Sequence, residues 1–178
     1  MPDLIPFADV GHLFEDFEHT AWRLETRRGY GSDRGSEKYA RFLATGTVPD
    51  DAGRPWAVNV RRQVGEGKRI ERVRVVDAPP SEGQRYLLAT GLGNVQAGED
   101  VRNLWRSDAD RLNLPREDFW LFDSRLLVRL HFDDADGTVG VTVTEDPVQV
   151  LAACQVRDAA WHHAAPTGLF QAQVPSLR

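Results

Sequence analysis

Asp118-Phe-Trp-Leu-Phe-Asp-Ser-Arg-Leu-Leu-Val-Arg-Leu-His-Phe-Asp133 decides the fold class of this chain. Two aromatic and aliphatic runs, 119–122 and 126–132, feed an Asp136-Gly137 dipeptide, and a third run follows over 139–143. Asp-Gly between apolar runs is a strong hairpin signal, because both residues tolerate the left-handed geometry of a tight turn. The segment 118–144 therefore predicts an antiparallel meander.

Upstream, Trp22, Leu24 and Thr26 alternate with Arg23, Glu25 and Arg27, the period-two pattern of a half-buried strand near 21–27. The β-branched run of residues 69–76 predicts another strand, ending at Asp77-Ala-Pro-Pro80. Residues 100–106 read as a further short extended segment. Helices are expected where apolar residues recur at three and four: Val10, Leu13, Phe14 and Phe17 after Asp9, and Tyr39, Phe42 and Leu43 between a Ser36 cap and a Gly46 stop. Residues 56–64 suit either periodicity, and Pro55 with the Gly65/Gly67 stop favours a helix. Residues 81–90 read as a helix capped by Ser81, with Gly91-Leu-Gly-Asn94 as a turn. A last helix starts at Asp146-Pro147 and carries Val150, Leu151, Cys154 and Trp161 on one side. The expected architecture is α+β, an antiparallel sheet packed by several helices. It forms a single domain over 1–166, with 167–178 as a flexible tail unless the core holds Leu169-Phe170.

The 178 residues, 41% hydrophobic, suffice for one core. A net charge of -5 argues against bulk attraction to nucleic acid or anionic lipid, so any basic surface must be local. Only Lys38 and Lys68 of the 22 basic residues are lysine, a skew that fits a GC-rich genome better than many phosphate contacts. Cys154 is the sole cysteine, which excludes an internal disulfide and fits a reducing compartment. Residues 1–6 show neither a basic segment nor a long apolar run, so a cytoplasmic protein without a membrane span is expected.

Three constellations offer chemistry. Arg72 and Arg74 project from one face of a strand, with Arg69 nearby, and residues 54–85 hold eight basic and four acidic side chains. Such a face suits phosphate or carboxylate recognition through guanidinium forks, or is a solvated sheet face paired with Glu71 and Glu25. Asn94, Glu99, Asp100, Arg102 and Arg106 fall on what reads as one loop, where a part-buried carboxylate serves as a base or caps local backbone. His131, beside Asp133, is either a proton shuttle or an exposed strand histidine. His162 and His163 lack the further ligands zinc needs, Asp133 to Gly137 is a turn rather than a calcium loop, and no phosphate-binding glycine motif is present. No metal or cofactor is expected.

Phe14-Glu-Asp-Phe-Glu-His-Thr-Ala-Trp-Arg-Leu-Glu25 with Tyr30, Gly67-Lys-Arg with Arg72-Val-Arg-Val-Val76, Asn94 with Ala97-Gly-Glu-Asp-Val-Arg102, Asp118-Phe-Trp-Leu-Phe-Asp123 and Arg157-Asp-Ala-Ala-Trp161 resemble an uncharacterised actinobacterial family, the domain of unknown function numbered 6879. Trp105 departs from it, standing where a proline is expected before Arg106. The resemblance implies no reaction. It implies, through gene neighbourhood, a partnership with a helix-turn-helix transcriptional regulator. The expected function is thus a non-catalytic interaction module recognising its partner through Arg69, Arg72, Arg74, Glu99, Arg102 and Arg106, with Trp105 and Tyr30 as anchors. The alternative is a toxin-like enzyme on RNA or a nucleotide, its arginines holding phosphates while Glu99 and His131 move protons.

Overall fold

The computed structural model describes residues 3–175. Its core is a seven-stranded sheet in the order β6-β5-β4-β1-β2-β3-β7, built from β1 (Thr20–Glu25), β2 (Arg69–Val76), β3 (Asp100–Trp105), β4 (Asp118–Phe122), β5 (Leu126–Phe132), β6 (Thr138–Thr144) and the two-residue β7 (Ala165–Pro166). The α+β class and the C-terminal meander stand as read. The sheet is mixed, however: β1, β2 and β3 run parallel, and the other pairings are antiparallel. Parallel neighbours need crossovers. The first carries α2 (Gly31–Arg34), α3 (Glu37–Thr45) and α4 (Pro55–Gly65), and the second carries α5 (Glu82–Ala97).

Both faces of the sheet are covered, which the alternation of β1 made look half-solvated. On one face Trp22, Leu24, Val73, Val75, Phe119 and Leu121 pack beneath α7 (Pro147–His163). On the other, Ala21, Ile70, Trp120, Phe122 and Val128 meet α4 and the N-terminal segment. That segment is not one helix: a 3-10 turn over Phe7–Val10 is followed by α1 (Leu13–Asp16), and Val10 and Phe17 are its buried anchors.

Local chemistry accounts for the helix ends. Ser36 accepts from the amide of Tyr39, and Gly46 closes α3 at φ 71°. Asp146 caps α7 ahead of Pro147. Ser81 and Gln84 form a reciprocal capping box at the start of α5. This helix continues through Gly91-Leu-Gly-Asn94, read from sequence as a turn, and stops at Gly98 with φ 112°. Gly91 is there for space, since a Cβ on it would lie 3.3 Å from Nη1 of Arg74.

The expected flexible tail is held in part by the core. Thr167–Gln171 forms α8, Phe170 is buried against Trp105 with ring centroids 4.4 Å apart, and Thr167 Oγ1 accepts from Asn103 Nδ2. Residues 176–178 lie outside the described residues. No helix among those described is long and apolar enough to cross a membrane.

Candidate functional site

The register of β1 on β2 sets Arg23 beside Arg72 and Glu25 beside Arg74. All four project toward the α4/α5 face, where α5 and the N-terminal segment cover them. Burying four charges is tolerable only when each is paired and hydrogen-bonded. Glu25 meets this need for three guanidiniums at once. Its Oε2 accepts from Arg74 Nε at 2.7 Å, its Oε1 accepts from Arg72 Nη1, and Arg23 Nε lies 3.0 Å from Oε1.

Two more carboxylates close the network. Glu99 Oε1 accepts from Arg72 Nε at 2.6 Å and its Oε2 from the indole of Trp56 at 3.0 Å. Asp118 lies 3.4 Å from Arg23 Nη2, takes both the amide and hydroxyl of Thr26, and accepts from Tyr30 at 2.5 Å. Arg74 Nη1 donates to the carbonyl of Leu87 at 2.6 Å. The guanidiniums of Arg23 and Arg72 lie over the Trp120 ring, at 5.4 and 5.6 Å from its centroid. Three arginines and three carboxylates thus form a neutral, buried floor.

The electrostatics follow from that pairing. Burial alone would raise the Glu25 carboxyl, but Arg72, Arg74 and Arg23 outweigh it and hold it far below the usual carboxylate range. Burial, with the negative charges of Glu25 and Asp118, pushes the Tyr30 hydroxyl well above its ordinary value. Above the floor opens a cleft of about 570 Å³, walled by Phe14, Trp56, Trp120 and Phe132 and rimmed by Asp33, Lys38 and Arg54.

The structure therefore regroups the residues read from sequence. Arg72, Arg74 and Glu99 come together, in the interior rather than on an open surface. Tyr30 joins them as a ligand of Asp118, not as a protruding anchor. Arg69 points to the opposite face, is exposed, and lies 3.6 Å from Glu71. Arg102 is on that face too, its guanidinium 3.8 Å from the Trp161 ring centroid. Trp105 packs on Phe170, and Arg106 bridges Asp77 at 2.5 Å and the Thr26 carbonyl at 2.7 Å. His131 shares the α7 face with Arg129 and binds Thr142 Oγ1 at 3.0 Å. The sheet therefore stands between His131 and Glu99, so they cannot act as an acid-base pair.

Sequence reasoning missed Arg23 and Asp118 as members of the site, along with Trp56, Trp120 and Arg54, and had Glu25 only as a partner of the arginines on a solvated face. The available signal was Arg23-x-Glu25 on one strand and Arg72-x-Arg74 on another, a complementary pair of alternations that only the parallel register joins.

The fold is α+β, an open seven-stranded sheet packed by helices, with an ion-paired floor beneath an aromatic cleft. The chain belongs to the family described as a domain of unknown function (DUF6879), which matches residues 8–172. No curated protein matches it.

Proposed function

We propose that the protein is a non-catalytic interaction module whose partner is a helix-turn-helix transcriptional regulator. The observation that carries this reading is the commitment of the polar groups: Glu25, Glu99 and Asp118 are each bonded to buried arginines, and His131 lies across the sheet from them. A general base must reach its proton with a pKa near the working pH, and the depressed Glu25 carboxyl does not meet that need.

Partner contact falls to the lip of the cleft instead. Leu4, Ile5, Phe7 and Val139 are 45%, 36%, 38% and 51% exposed. Ile5 is bridged to Val141 on the edge strand β6, and Phe7 lies 6.0 Å from Phe14 at the cleft wall. Clustered exposed apolar side chains are characteristic of contact surfaces. The regulator as partner rests on the gene neighbourhood of the family.

The test is capture by the tagged full chain from its host at low and high salt, with mass spectrometry and nucleic-acid quantitation. A stoichiometric helix-turn-helix protein, lost with Phe7→Asp and Val139→Asp, supports the reading. Salt-released RNA, bare protein, or capture indifferent to both substitutions overturns it.

A further inference from the structure

The cleft also has the features of a small-molecule site, independently of any protein partner. We propose that it binds a planar aromatic ring bearing a carboxylate or phosphate, with the acidic group at Arg54 and the first turn of α4 and the ring against Phe14 and Trp56.

The volume, about 570 Å³, lies in the range of roughly 300–1,000 Å³ that holds small ligands. The walls supply donors in excess of acceptors. Helix α4 has eleven residues, begins at Pro55, and receives no side-chain cap from Arg54, while Arg54, Pro55 and Trp56 line the cavity. Its uncapped first turn carries the partial positive charge and free amides that favour an anion. Arg54 itself donates to the neutral amide of Asn94 and has no carboxylate partner among the described residues. It is the cavity's uncompensated cation, since Lys38 is held by Asp51 at 2.5 Å and the floor arginines are neutralised by their acids.

One further donor points the same way. Trp120 Nε1 belongs to a cavity-lining residue that is 3% exposed, and it has no hydrogen-bond partner among the described residues. Buried donors without acceptors are uncommon in folded proteins and call for an acceptor-bearing group. Of the other acids on the wall, Glu25 is spoken for by arginines and Glu15 faces solvent. Asp33 remains, its carboxyl without a hydrogen bond among the described residues. Burial, followed by the charge of Glu25, pushes this carboxyl up, and it offers a partner for a ring N–H. The aromatic edges of Phe14 and Trp56, both half-buried at the wall, supply the apolar contact for the ring. A floor already locked by ion pairs needs little rearrangement on binding, which lowers the entropic cost of capture.

Titration of the full chain, followed by tryptophan fluorescence and calorimetry, tests this with AMP and anthranilate as charged rings and with adenosine and inorganic phosphate as halves. Saturable binding of AMP or anthranilate with a Kd below about 1 mM is expected, with each half about tenfold weaker or worse. AMP alone identifies a phosphate as the acid and anthranilate alone a carboxylate. Arg54→Gln is expected to weaken binding by about tenfold, and Ser32→Trp, at an exposed position on the wall, to block it while leaving the fold intact. Absence of saturation by either charged ring, equal binding of adenosine and AMP, or affinity unchanged in both variants overturns the proposal.

Discussion

Glu25→Gln tests the buried floor most directly. The substitution preserves shape and one oxygen acceptor but removes the charge that Arg23, Arg72 and Arg74 share. The six-membered network then carries a net +1 within the domain, where these side chains are almost wholly screened from water. Removing one partner of a buried ion pair typically costs about 3–5 kcal/mol, chiefly because the remaining charge is left desolvated. Against the roughly 5–15 kcal/mol of a whole domain, this is a large loss. At about 2–4 °C per kcal/mol for a chain of this size, the melting temperature should fall by roughly 6–20 °C. Urea denaturation is the assay, with the midpoint shifted and the slope m unchanged. Adding Arg74→Met removes one stranded cation, so the double variant should be less destabilised than the sum of the singles by about 0.5–3 kcal/mol. A loss under about 1 kcal/mol with no coupling would mean that the network is solvated, and the argument for a preformed floor would fail.

The same group sets a pH dependence of known sign. Its carboxyl is depressed in the folded protein relative to its ordinary 4.5. Its contribution is therefore fully present above pH 4.5 and is lost progressively as pH falls toward the folded value. The stability gap between the native protein and Glu25→Gln should narrow below pH 4.5. A gap that widened on acidification would contradict the pairing.

Four further substitutions probe the frame of the fold. Gly83→Ala would set a Cβ 2.5 Å from the Arg28 carbonyl and 2.8 Å from Cα of Gly29, so a loss of about 1–3 kcal/mol is expected in urea denaturation. Gly35→Ala, with open space around it, should be neutral or stabilising and serves as the control. Ser81→Ala removes the capping box of α5 and should cost about 1 kcal/mol by the same assay. Phe170→Ala empties a buried site against Trp105 and should cost up to about 3–5 kcal/mol. Detachment of α8 would limit that loss and would show as faster hydrogen exchange confined to residues 165–171.

What was legible in the sequence tracks how local its causes are. The Asp136-Gly137 turn, the Ser36 and Asp146 caps and the Gly46 stop act within four residues, and each lies where the sequence placed it. Gly91 misled because its reason is remote: it clears space for a guanidinium from β2 within a helix whose own chemistry disfavours glycine. The tail turns on a remote contact too, since Phe170 packs on Trp105, which is distant in sequence.

The candidate site failed to appear for a related reason with a chemical edge. Arginine and glutamate alternating with Trp22 and Leu24 signify a solvated face only when nothing covers that face, and coverage is a tertiary fact. Once α4 and α5 lie over it, the same alternation must become internally neutral, because unpaired charge could not remain there. Glu25 accordingly faces two arginines across the parallel register while Glu99 takes up the remaining valence of Arg72. Arg54 stands outside this closed pairing. A fold that neutralises its floor charges within itself and, among the described residues, leaves the Arg54 guanidinium without a carboxylate has separated the charges that hold the structure together from the one the proposed ligand would meet.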